Sequence, residues 1–356
     1  MGTIMNKRII FCLVVLAIMA GTFMFFSTFT GWDYVPNRDI VVIKLHPDGS
    51  TAWMRTIDTG WDDSATDMAQ LKNRDLLIAA QNTSERIGPS HSFILRLTSE
   101  GKLINEKVIR DYPRLYGILP THDGGFAALL KNGGILRFDH EGKELWAWNN
   151  GNPGDQTWSY TSAGGAIETR DGGFAIPGKA YYFPGGAVVT KLDPEGTVQW
   201  KERVGGDGAE MASSIAESAD GSGYLATVHG TPSGNSFEKR YVLSAAWLAA
   251  NGTTLHTTRI GTTHDRPQVI STNSSADGDL VIYRDDLEVR DNAVLLQPVA
   301  VYFYRNGTER ERKTMDAGPD FTMTGDGKNF SEGFQRVKRI QTSDGGYAIL
   351  AVKEKR

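Results

Sequence analysis

The sequence predicts an all-β chain made of a four-stranded antiparallel unit repeated around a ring. Two interleaved motifs and the complementarity of the two chain ends predict it. The first motif is an acidic or amide residue followed by glycine, with an apolar residue four positions before the glycine. It reads KLHPDG ending at Gly49, RLTSEG at Gly101, RFDHEG at Gly142 and KLDPEG at Gly196, with weaker copies WLAANG at Gly252 and YFYRNG at Gly307. The second motif is Ser/Thr-x-Asp-Gly-Gly followed by an aromatic and small or apolar residues. It reads THDGGFAAL around Asp123, TRDGGFAIP around Asp171 and TSDGGYAIL around Asp344, with looser copies around Asp75, Asp220 and Asp277. The glycines of the first motif lie 41 to 56 residues apart, the period of propeller-type arrays.

Each repeat parses into four short strands. One unit opens with MASSIAES (residues 211–218), turns at Asp220-Gly221 and continues into GYLATV; third and fourth strands of the kind AVVTKLD and TVQWKERV complete the pattern. The Asp-Gly and Glu-Gly pairs are hairpin turns, in which glycine supplies a positive φ and the acid bonds the turn amides. The alternating or short apolar runs around them are strand signals. The chain body begins with IVVIKLHPDGSTAWMRTI, a third and fourth strand, and closes with FQRVKRIQTSDGGYAILAV, a first and second strand. Joined, the two ends make one unit, which predicts a six-bladed β-propeller closed by pairing its terminal strands and so free of exposed sheet edges. A very short loop (Lys131 to Gly134) precedes one third strand, and Asp316 to Gly333 reads as an insertion before the last blade.

The units VVTKLDPEGTVQW and SSIAESADGSGYLAT resemble bacterial and archaeal surface β-propeller repeats, in which DGGY-type and KLDxxGxxxW-type motifs alternate. More distantly they resemble the quinoprotein-like propellers. The resemblance covers about residues 40 to 353 and implies the fold; such propellers host unrelated functions. A quinone dehydrogenase of that kind would use calcium, a catalytic aspartate and often a vicinal disulfide. This chain has one cysteine, Cys12, inside its most apolar stretch.

Composition excludes several classes. With 356 residues and 40% hydrophobic content the chain is long enough to bury a substantial core. Its 38 basic and 42 acidic residues argue against a nucleic-acid binder. Residues 9–26 (IIFCLVVLAIMAGTFMFF) carry no charge, and as a helix they reach about 27 Å, close to a bilayer's hydrocarbon thickness. Lys7 and Arg8 precede them and no basic residue follows until Arg38, so the positive-inside rule places the body outside. A signal peptide would have a shorter apolar region and a better cleavage site than Ala17-Ile18-Met19-Ala20. The expected organisation is a cytoplasmic stub and transmembrane anchor over 1–30, a linker over 31–39 and the propeller over 40–356, on the extracellular side of the membrane. Asn-x-Ser/Thr sequons at Asn82, Asn251, Asn273, Asn306 and Asn329 agree with that side.

No catalytic constellation emerges. The seven histidines are scattered and no calcium-loop pattern occurs, so no catalytic residue, metal site or cofactor is assigned. Lys44, Arg96, Arg137 and Lys191, and Trp53, Trp146 and Trp200, recur in register and are read as packing between outer strands. The candidate binding face is formed by the fourth-to-first and second-to-third strand loops. It holds Trp61, Asp62, Tyr112, Asp155, Trp158, Tyr160, Tyr181, Tyr182, Asp265 and Arg266. Aromatics there stack on sugars or fill interface hot spots, and carboxylates accept hydroxyl hydrogen bonds. The expected function is a protein- or glycan-binding scaffold, as a monomeric propeller, at a prokaryotic cell surface. The alternative is a carbohydrate-active hydrolase or lyase, which needs two carboxylates converging across the channel mouth.

Overall fold

The computed structural model describes residues 38–83, 91–112, 114–131, 133–148, 165–180, 186–205, 209–230, 241–263, 269–274, 280–290, 293–304, 308–314 and 334–354. Among them the chain forms six four-stranded antiparallel sheets. Sheet I takes β1 (Arg38–Leu45), β2 (Thr51–Ile57), β23 (Phe334–Gln341) and β24 (Tyr347–Glu354). Sheet II is β3 (Asp62–Gln70), β4 (Leu76–Thr83), β5 (His91–Leu97) and β6 (Leu103–Ile109). Sheet III is β7 (Leu115–Pro120), β8 (Phe126–Leu130), β9 (Ile135–Phe138) and β10 (Glu144–Trp148). Sheet IV is β11 (Ile167–Glu168), β12 (Phe174–Ala180), β13 (Gly186–Leu192) and β14 (Val198–Arg203). Sheet V is β15 (Ala209–Glu217), β16 (Gly223–Gly230), β17 (Tyr241–Ala249) and β18 (Thr254–Thr263). Sheet VI is β19 (Val269–Ser274), β20 (Leu280–Arg290), β21 (Ala293–Phe303) and β22 (Glu309–Thr314). Sheet I is ordered β2-β1-β24-β23, with β1 paired to β24 from Arg38↔Glu354 to Leu45↔Tyr347.

Consecutive sheets pack face to face. Ile40, Val42 and Leu350 of sheet I meet Met68, Ile78 and Phe93 of sheet II. The opposite face of sheet II sends Leu77, Ala79 and Ile94 against Phe126, Leu136 and Phe138 of sheet III. The same alternation joins III to IV, IV to V and V to VI. Middle strands are therefore buried on both faces, which is why β8 reads FAALL throughout and β4 and β13 carry the apolar runs LLIAA and AVV. Outer strands are exposed over most of their length, as in β2 and β6.

The two sequence motifs are two copies of one turn. In the Asp123 turn, Gly124 N–H donates to Thr121 O and Thr121 N–H to Gly125 O, with Gly124 at φ 91°. The pattern recurs at 46–50, 98–102, 139–143, 169–173, 193–197, 249–253 and 342–346. It is a type I turn with a left-handed fourth residue, so the hairpin loop ends in glycine. The 71–75 copy departs from this: Asn73 takes the place of the aspartate, and Arg74 stands at φ 72° where the repeat has glycine.

The recurrent basic residues differ from their expected role. They join the two motifs within one sheet rather than packing outer strands. Lys44 pairs with Asp344, Arg96 with Asp75, Arg137 with Asp123 and Lys191 with Asp171, at 2.6–2.9 Å. Each cation leaves the third strand and reaches the first-to-second turn. In sheets I, III and IV the second glycine of that turn makes room, since a Cβ on Gly173 would lie 2.1 Å from Leu192 O and 2.7 Å from Lys191 Nζ; in sheet II that position is Asp75 itself.

The tryptophans join neighbouring sheets. Trp53, Trp146 and Trp200 donate their indole N–H to Ser99 O, Pro194 O and Ala250 O of the next sheet's turn. Sheet II has Asn105 in place of the tryptophan, and there Arg96 donates to His140 O of the next turn, while Lys107, like Arg55 of sheet I, donates to the next turn's glycine carbonyl and lies over the Phe138 ring.

The apolar segment 9–26 lies outside the described residues, as does the proposed insertion 316–333. No helix among the described residues is long and apolar enough to cross a membrane.

Candidate functional site

Three of the ten predicted binding residues fall in the described structure. Trp61 stands between β2 and β3 and is 44% exposed. Asp62, beside it, accepts from the Arg38 backbone N–H and forms a two-point pair with the Arg38 guanidinium at 2.8 Å. Tyr112, between β6 and β7, packs on the core between sheets II and III and donates its hydroxyl to Glu144. Asp155, Trp158, Tyr160, Tyr181, Tyr182, Asp265 and Arg266 lie outside the described residues.

The segment carrying Trp61 is held at several points. Asp58 accepts from Gly60 N–H, and Gly60 takes φ 84°. Asp63 is fully buried and accepts both the backbone N–H and the hydroxyl of Thr59. Oxygens of Asp39, Asp58 and Asp63 lie within 4.8 Å of one another. Burial, with the negative charges of Asp58 and Asp39 adding, raises the Asp63 carboxyl above its ordinary range against the Thr59 hydrogen bonds. The turn therefore presents an indole to solvent on a fixed backbone.

A second feature went unread in the sequence. A cavity of about 580 Å³ is lined by the ends of inner strands, including Asp67 and Gln70 of β3, Leu119 and Pro120 of β7, and Lys338 and Ile340 of β23. It lies toward the Asp-Gly-Gly turns rather than toward the segment carrying Trp61. Asp67 is the hub of this region. Its Oδ1 accepts from Met68 N–H and from the Lys338 ammonium, and its Oδ2 from Ile118 N–H at 2.8 Å. One carboxylate thus joins the inner strands of sheets I, II and III. A β-bulge in each of β3, β7 and β23 marks the same region of the three strands.

A signal for this pair did exist. Asp67 and Lys338 each stand four residues before the first residue of their turn, Leu71 and Thr342. The equivalent positions in sheets III, IV and V are Gly117, Gly165 and Ser214. Two opposite charges where other copies are small mark a departure from the repeat.

No protein-family model matches the chain, and no curated protein matches it. Among solved structures it is similar to BamB from Moraxella catarrhalis, at 14% identity and a TM-score of 0.39, over 88% of this chain and 91% of that one. It is similar to the WD40 β-propeller domain of Doa1 at 9% identity and a TM-score of 0.41, over 84% and 95% of the two chains. It is also similar to virginiamycin B lyase from Staphylococcus aureus at 10% identity and a TM-score of 0.41, over 87% and 99%.

Proposed function

We propose that this chain is a six-bladed β-propeller, anchored in the membrane by residues 9–26 and facing outward, that recognises a protein or glycan at a prokaryotic cell surface. The observation that carries the recognition reading is Trp61, an exposed indole on a turn fixed by Asp58, Asp62 and Asp63. An aromatic side chain that is rigid and wet at once can stack on a sugar ring or seat in a partner's pocket with little ordering cost.

Closure of the ring is supported by the second face of sheet I. Val41, Ile43, Leu45, Ile349 and Ala351 are buried there, as they would be beneath sheet VI. The anchor and its orientation rest on the uncharged run and on Lys7 and Arg8 before it.

The hydrolase or lyase reading draws on the convergence of Asp39, Asp58 and Asp63. Asp63, however, is buried and engaged by Thr59 through both oxygens. That suits a joint between sheets better than a group that touches substrate.

The test is a glycan array probed with the full chain in detergent, wild type against Trp61→Ala. Retention of defined glycans that is lost in Trp61→Ala, with unchanged thermal unfolding, supports the reading. Retention that survives the substitution removes Trp61 from the site and overturns the assignment of this face.

A further inference from the structure

The cavity between the inner strands presents one charge to an incoming molecule, although two line it. Asp67 has 4% of its side chain exposed, and its oxygens already accept two backbone N–H groups and an ammonium. Lys338 keeps 36% of its side chain exposed. Its ammonium has three donors, and one is directed at Asp67. A cationic ligand would therefore meet a carboxylate that is covered and already engaged through both oxygens, whereas an anionic one would meet available N–H donors.

The remaining walls define the rest of the ligand. Leu119, Pro120 and Ile340 line the cavity and are half-buried, giving it apolar surface beside the ammonium. Its volume of about 580 Å³ is that of a small-molecule pocket. It is far too narrow for a folded partner.

We propose that this cavity binds a small organic acid, whose carboxylate pairs with the Lys338 ammonium while its apolar body rests on Leu119, Pro120 and Ile340. Asp67 acts as a positioning residue. By accepting one hydrogen bond from the Lys338 ammonium and one from the Ile118 N–H it fixes where the other Lys338 donors lie. A charge-assisted bond discriminates between an acid and its neutral amide. This site is separate from the Trp61 turn, so either can fail without the other.

Saturation-transfer NMR with the full chain in detergent tests it, using benzoate and cyclohexanecarboxylate as probes and benzamide as the neutral counterpart. Both acids should bind at least tenfold more tightly than the amide. Lys338→Gln should weaken acid binding at least tenfold. A second variant guards against a folding defect in the first. Ser343 lines the cavity, is exposed, and occupies the turn position that carries Lys72, His122 and Arg170 in other sheets. Ser343→Trp should therefore fold normally, fill the cavity and abolish binding of both acids. Absence of acid binding at millimolar concentration, equal binding of benzamide, or unchanged binding in Ser343→Trp would each overturn the proposal.

Discussion

The indole of Trp53 occupies the space that a side chain on Gly101 would need: a Cβ there would lie 2.8 Å from the ring. The same relation holds between Trp146 and Gly196, at 2.8 Å, and between Trp200 and Gly252, at 2.6 Å. Each tryptophan also donates to a backbone carbonyl in the turn it covers. The repeated glycine thus meets two demands, a positive φ and the close approach of the neighbouring sheet's ring.

Gly101→Ala should cost about 2–3 kcal/mol, from backbone strain at φ 80° together with the clash. In Trp53→Ala the added methyl meets no ring, so the same substitution should cost only the backbone share, about 1 kcal/mol. Urea unfolding of the four proteins in this cycle measures the coupling. Equal costs of Gly101→Ala in both backgrounds would refute the contact.

Asp171→Asn should destabilise by about 2–4 kcal/mol, since the buried Lys191 ammonium would keep only neutral acceptors, the new amide oxygen and the Leu192 carbonyl, and lose its compensating charge. Replacing both, as Lys191→Met with Asp171→Asn, should recover most of the loss, because no buried charge is then left unpaired. Chemical denaturation decides. A double variant no more stable than the single one would show that the pair is not the source of the loss.

Arg74 holds φ 72° at a turn position where the other copies have glycine. Arg74→Gly should raise stability by about 0.5–1 kcal/mol, relief of the left-handed conformation outweighing the added freedom of the unfolded chain. A lowered melting temperature in this variant would count against that strain.

The turn aspartates set the acid limb of stability. Burial opposes ionisation of Asp123, yet the Thr121 hydroxyl, the Gly125 N–H and the Arg137 guanidinium bring its carboxyl down from 3.8 to about 2. In Asp171 burial is likewise outweighed, by Lys191, Thr169 and Gly173, and Asp344 is lowered by Thr342 and Lys44. These folded values lie below the unfolded ones. Their stabilisation is therefore complete above about pH 4 and lost as pH falls through the folded values. Melting temperature should drop steeply from pH 4 toward pH 2. Thr121→Ala removes one of the hydrogen bonds and should move the midpoint of that drop to higher pH; an unmoved curve would contradict the assignment.

Legibility differed between the levels of structure for physical reasons. The turns were readable because a left-handed residue selects glycine and an aspartate beside it bonds local amides, both within a few residues of chain. The four-stranded units followed from the spacing of those turns. The basic residues were recognised as recurrent, but their partners lie in another motif, 14 to 21 residues away in sheets II to IV and 300 away in sheet I. A sequence shows the recurrence of Lys44 and Asp344 without showing that they touch. Trp61 and Tyr112 were singled out by residue type and by their place in fourth-to-first strand loops, which could not distinguish an exposed indole from a phenol packed on a core.

By itself the sequence determined the strand order within each unit, the turns, the pairing of the first and last strands of the body, and an uncharged run long enough for a bilayer. Those are local or periodic properties. Among the described residues the tertiary structure decided which side chains reach a turn of their own sheet and which meet the next sheet. It alone brought Asp67, Ile118 and Lys338 together from three sheets. Their meeting depends on how sheets stack and where bulges turn the inner strands, and neither is encoded by spacing along the chain.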